Sequence, residues 1–96
     1  MKKVSLHFQV PVSFLKEKKR FIAYSPVLDL STSGKTFEQA KKRFEEASNI
    51  FFEEIVEMGT MDDVLINLGW VKFQKTWQPP LTVGQSTQSV QVPCLV

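Results

Sequence analysis

The stretch from Thr36 to Gly59 constrains this chain more than any other. Phe37, Ala40, Phe44, Ala47, Phe51, Ile55 and Met58 recur three or four residues apart and so form one apolar stripe on a helix, while Lys41, Lys42, Glu45 and Glu46 lie off it. Thr36 followed by Gln39 is a capping box, which satisfies amides left unpaired at a helix start, and Gly59 stands where a helix C-cap favours glycine. The pattern predicts a helix to about Met58, roughly 33 Å long at about 1.5 Å per residue. That length crosses the face of a small sheet, and the stripe needs such a face to bury it. Ile50, Phe52 and Val56 widen the apolar surface, so a second element or a second subunit is expected on the flank.

The residues before the helix supply the sheet. Val4, Leu6, Phe8 and Val10 alternate with Lys3, Ser5, His7 and Gln9, the period of two that turns one face to a core and one to water. A first strand is expected there, ending at Pro11, with residues 13 to 19 as the charged hairpin loop that returns the chain. Phe21-Ile22-Ala23-Tyr24 reads as a second strand stopped at Ser25-Pro26, because proline has no amide to give a ladder. Val27 to Thr32 reads as a third, closed by Ser33-Gly34-Lys35, where glycine accommodates a positive φ.

Beyond the long helix, Thr60 with Asp63 marks a second helix of two turns, with Val64, Leu65 and Leu68 as its apolar face and Gly69 as its stop. Residues 71–88, which include Trp77-Gln78-Pro79-Pro80 and the polar run from Gly84 to Ser89, read as a surface connection. Val90, Val92, Cys94 and Val96 alternate again and predict a strand over 89–96, kept at a sheet edge by Pro93. The expected fold is α+β: a three-stranded antiparallel meander, one long helix packed on the sheet, a short second helix and a C-terminal edge strand, in the order β-β-β-α-α-β. One domain is expected over residues 1–96, with its core in 2–70.

Composition narrows the function classes. Ninety-six residues support one core, and a chain that is 43% hydrophobic and 23% charged folds rather than staying disordered. Twelve Lys and Arg against ten Asp and Glu leave a net charge of +2, too small a field to gather nucleic acid or an anionic membrane. With one cysteine and only short apolar runs, neither an internal disulfide nor a transmembrane segment is expected, and the expected compartment is the cytoplasm.

The string from Ala23-Tyr24-Ser25-Pro26 through Gly34-Lys35-Thr36-Phe37-Glu38-Gln39-Ala40 resembles the signature of the HicB-like antitoxin domains. That signature is a strand ending in proline, a second short strand, a Gly-x-Thr turn and a helix opening with Glu-x-Ala. The later Val64-Leu65-Ile66-Asn67-Leu68-Gly69-Trp70 is similar to a Leu-Gly-Trp segment in some members. The resemblance covers roughly residues 2 to 70. It implies a partial ribonuclease H-like fold that has lost its nuclease site, and a role in binding and blocking a small HicA toxin, an mRNA-cutting ribonuclease. Many members add a DNA-binding segment; here the residues after Trp70 hold adjacent prolines and no amphipathic helical pair, so DNA binding is not expected.

The chemistry-bearing residues agree with a binding role. A metal nuclease needs several carboxylates converging on a cation, starting on the first strand, yet the polar face there carries Lys3, Ser5, His7 and Gln9. His7 has no partner of nucleophilic type and reads as a wet strand residue, and Cys94 reads as packing. No catalytic, metal or cofactor residues are assigned. Lys16, Lys18, Lys19 and Arg20 form the only basic cluster, without the spread of aromatics that marks a nucleic-acid surface.

Glu53, Glu54 and Glu57 crowd the negative end of the helix dipole, where cations are favoured, so they either suit a basic partner or are tolerated for packing. Trp70 and Trp77 are each either an interface anchor or a packing residue. These five are the candidate partner contacts.

The leading expectation is an antitoxin-like domain, a homodimer or higher homo-oligomer, that neutralises a HicA-type toxin by covering it. The alternatives are a stand-alone regulatory or scaffold module binding another protein, and a metal-dependent nuclease using Asp29, Glu38 and Glu45.

Overall fold

The computed structural model describes residues 6–95. Three antiparallel strands, β1 (Ser13–Glu17), β2 (Arg20–Ser25) and β3 (Leu30–Gly34), pair in the order β1-β2-β3. The helix α1 (Phe37–Glu57) follows, then a short α2 (Met61–Asn67) and a hairpin of β4 (Val71–Phe73) and β5 (Thr76–Gln78). The architecture is α+β, with a three-stranded meander, a long helix and a short second helix in the expected order, although not every strand lies on the expected residues.

Both ends of α1 obey local rules. The Thr36 hydroxyl accepts from the Gln39 amide at 3.0 Å, and the Gln39 side chain accepts from the Lys35 amide at 2.6 Å, one residue earlier than in the usual box. At the other end Gly59 (φ +69°) donates to Val56 and Thr60 donates to Ile55, the paired bonds of a Schellman motif. α2 ends the same way, with Gly69 (φ +90°) donating to Ile66 and Trp70 to Leu65. Thr60 is the N-cap residue of α2, but its side chain makes no capping bond.

Gly34 is needed for a different reason from the one its turn position suggests. A Cβ there would lie 2.7 Å from the Ala40 nitrogen, so glycine is required because the first turn of α1 presses on the end of β3. Thr32 donates to the Ala40 carbonyl at 3.0 Å and Arg43 to the Ser33 carbonyl at 2.8 Å, which pins the helix along this edge strand. The stripe of α1 buries Ala40, Phe44 and Ile55; the first two join Ala23, Val27, Leu28, Leu65, Trp70 and Trp77 in the core cluster.

The third strand runs over Leu30–Gly34 and not over Val27 to Thr32, because 26–29 form a turn, and two further strand assignments move. The first strand lies at 13–17, in what the charge pattern marks as a loop, and the turn is only Lys18-Lys19, since Glu17 pairs with Arg20. Residues 6–12 form no strand; Phe8, Val10 and Val12 instead pack half-buried on the core, and residues 3–5 of the expected strand lie outside the described residues. The expected strand over 89–96 is also absent among the described residues: 79–95 have no regular structure, and Val96 lies outside them. The late strands are instead β4 and β5, within the stretch expected as a connection.

Ser25 in β2 is fully buried, and its hydroxyl has no hydrogen-bond partner among the described residues. A buried hydroxyl that makes no bond costs about 1–3 kcal/mol of desolvation. Ser25→Ala should therefore raise the melting temperature by several degrees, at about 4–8 °C per kcal/mol for a domain of this size. Gly34→Ala should lower stability by at least about 2 kcal/mol, because the clash is with backbone. Thermal melts followed by circular dichroism check both signs.

Candidate protein-binding surfaces

The two tryptophans are inside the fold. Trp70 is 3% exposed, its indole N–H donates to the Val27 carbonyl at 2.7 Å, and Phe8 meets its ring edge-on with centroids 5.4 Å apart. Trp77 is 6% exposed on β5, with the Lys72 ammonium 5.5 Å from its ring centroid. Trp70 follows the Schellman glycine of α2, so the turn that ends the helix aims the indole back at the β2–β3 connection. Both indoles hold the chain together and present little surface to a partner.

Glu53, Glu54 and Glu57 are exposed on the last turns of α1. Glu46, Ile50, Glu53 and Glu57 are spaced four, three and four apart, which places them in one outward stripe, all exposed. The last turn holds no basic residue, and the first turn of α2 adds Asp62 and Asp63. The sole ion pair among the described residues, Lys72 to Asp62 at 3.4 Å, leaves the α1 glutamates outside it. Exposed Ile50, Val56 and Met58 interleave with these acids. The surface thus combines apolar contact area with an uncompensated helix C-terminus, a charge pattern suited to a basic partner.

The basic cluster lies at the opposite end. Lys16, Lys18, Lys19 and Arg20 surround the tip of the β1–β2 hairpin, and Phe21 beside it pairs with Gly34 just before α1 begins. Lys18 takes φ +53° in this turn.

Beside α1 runs a groove of mixed lining, to which His7, Asn49, Glu53 and Glu57 contribute along with apolar side chains. A hollow of about 880 Å³ is walled by Leu6, Phe8 and Val10 on one side and Phe52 and Val56 on the other, with Leu28 and Met61 also lining it. A second of about 440 Å³ continues past Val12 and Phe14 opposite Lys41 and Phe44, and the two share Phe8, Val10 and Ser48. Charge and periodicity did not single out this groove, because its far wall is the irregular segment 6–12 rather than a strand.

The remaining candidates are dispersed. His7 is exposed at the groove rim, and Cys94 is exposed rather than packed. Asp29 accepts from the Tyr24 hydroxyl at 3.4 Å, whereas Glu38 and Glu45 are exposed on α1. Among the described residues no three His, Cys, Asp or Glu side chains gather as a metal site, and no helix is long and apolar enough to cross a membrane.

No protein-family model matches the chain, and no curated protein or solved structure matches it.

Trp70→Phe tests the structural role of the indole. It strands the Val27 carbonyl in the core and should cost about 1–3 kcal/mol, read as a loss of roughly 5–20 °C in melting temperature.

Proposed function

We propose that this chain is an antitoxin-like protein-binding domain that neutralises a HicA-type mRNA-cutting toxin by covering it. The observation that carries the reading is the exposed acidic and apolar face at the end of α1, where Glu53, Glu54 and Glu57 surround Ile50, Val56 and Met58 with no basic residue in the last turn. A ribonuclease that grips RNA needs a basic surface for phosphate, and an acidic cover competes for that surface directly. The Gly34-Lys35-Thr36 turn, with its close helix contact and cap, supports the resemblance to HicB-like domains on physical grounds as well as by sequence. Inhibition of this kind asks no chemistry of the chain, only a rigid helix presenting charge and apolar area together.

Charge reversal separates binding from folding. In the variant Glu53→Lys, Glu54→Lys, Glu57→Lys, affinity for a HicA-type toxin encoded beside this chain should fall at least about tenfold, or 1.4 kcal/mol. Its melting temperature should hold or rise slightly, since cations suit a helix C-terminus. Calorimetric titration and protection of an RNA substrate are the readouts. A wild-type chain that neither binds nor silences such a toxin refutes the proposal.

A further inference from the structure

The order of residues leaves Lys16, Lys18, Lys19 and Arg20 without a spread of aromatics, but the fold supplies rings beside them. Phe14 on β1 and Phe37 at the start of α1 are distant in the chain, yet their rings meet with centroids 4.5 Å apart. Phe14 is 37% exposed and Phe37 40%, so more than a third of each stays open to solvent although each packs on the other.

Cations flank this pair on both sides. Strand side chains alternate, so Lys16 shares the face of Phe14 while Leu15 and Glu17 point to the other. Lys16 opposes Phe21 across the ladder, with its ammonium 5.7 Å from the centroid of that ring. Lys18 and Lys19 follow in the turn. On α1, Lys41 lies one turn after Phe37 and lines the smaller hollow together with Phe14. The sole ion pair among the described residues is Lys72 with Asp62, so none of these lysines is neutralised by a carboxylate. Of the acids on this half of α1, Glu38 sits in the first turn, where it suits the helix dipole, and Glu45 bounds the surface one turn past Lys41.

Unpaired cations need an anion, and the rings select among anions. A duplex hides the faces of its bases, and a run of acidic side chains has none, whereas a single strand offers phosphates and unstacked bases together. We infer that this end of the molecule binds single-stranded nucleic acid, with phosphates on Lys16, Lys18, Lys19 and Lys41 and a base against the Phe14 and Phe37 rings. RNA and DNA share this chemistry. The surface lies at the opposite end of α1 from Glu53, Glu54 and Glu57, so the inference neither uses nor needs the toxin reading.

Fluorescence anisotropy of the full chain with labelled oligouridylate and oligothymidylate of about twenty nucleotides tests it, across about 50 to 200 mM salt. At least one strand should bind with a Kd in the micromolar range, and log Kd should change with log salt with a slope of roughly 3, from four phosphate contacts at about 0.7 each. Lys18→Asn with Lys19→Gln should bring the slope down to about half; asparagine accepts the φ of +53° at residue 18, so the turn is kept. Phe37→Leu keeps apolar packing and removes the ring, and should weaken binding about fivefold or more at an unchanged slope. Phe14→Leu removes the second ring independently, and circular dichroism establishes that each variant is folded. Tighter binding of one strand identifies RNA or DNA as the ligand, and either supports the inference. No binding of either strand by about 100 µM protein overturns it. So does equal affinity for a duplex of the same length, for polyglutamate or for phosphatidylserine vesicles, and so does an affinity that both ring variants leave unchanged.

Discussion

The approach of α1 to the end of β3 governs the rest of the molecule. Only a residue without a Cβ lets the Ala40 nitrogen come so near the Gly34 backbone, and this contact fixes where the helix begins and which strand it follows. Thr32 and Arg43 then tie the helix to β3 by bonds to backbone carbonyls. The helix therefore sits off-centre, mainly over β3 and part of β2, and meets β1 where Phe37 packs on Phe14 with ring centroids 4.5 Å apart. A helix centred on the sheet would have covered more of the β1 side; this one leaves a trough there, walled by its own flank and by residues 6–14. One close contact at the sheet's far edge thus accounts for the hollow on the near side.

What the sequence made legible follows the range of the interactions. Helix α1, its cap at Thr36 and its stop at Gly59 depend on hydrogen bonds spanning three to five residues, and the residues that make them are adjacent in the text. β2 was also readable, since Pro26 ends it, and β3 was readable in part: Val27 to Asp29, which read as its start, form a turn, and Gly34 ends the strand from inside it. β1 was hidden because Phe14, Leu15, Lys16 and Glu17 are exposed on both faces, so no burial pattern distinguishes that strand from a charged loop. Conversely, Phe8 and Val10 alternate because they reach Trp70, Phe52 and the core, and side-chain packing alone produces the same period as a ladder. Gly34 was found in its proper place but for the wrong cause, because a steric contact with a helix still to come cannot be read from a turn motif.

The surface was legible only in part, for a related reason. Charged residues stay wet, so the exposure of Glu53, Glu54 and Glu57 follows from residue type. The destination of an indole does not. Trp77 is buried because β4 and β5 form a hairpin through Gln74-Lys75, and Gln74 adopts φ +58° without the asparagine or glycine that usually signals such a turn. With that signal missing, the tryptophan stood in apparent loop.

Net charge was the least informative quantity, and the fold explains why. Basic residues gather at the β1–β2 hairpin tip beside the start of α1, and acidic ones gather where α1 ends and α2 begins. The helix between them holds 21 residues. At about 1.5 Å per residue the two ends are some 30 Å apart, several times the Debye length of about 8 Å at physiological salt. Neither end screens the other at that range, so a partner approaching either meets a local field that the total of +2 does not describe. The helix dipole adds to this polarity, positive near Thr36 and negative near Met58, in the same sense as the side chains. Selection between partners would therefore depend on which end they meet, since exposed Ile50, Val56 and Met58 lie beside the acids whereas exposed Phe14, Leu15 and Phe37 lie at the basic end.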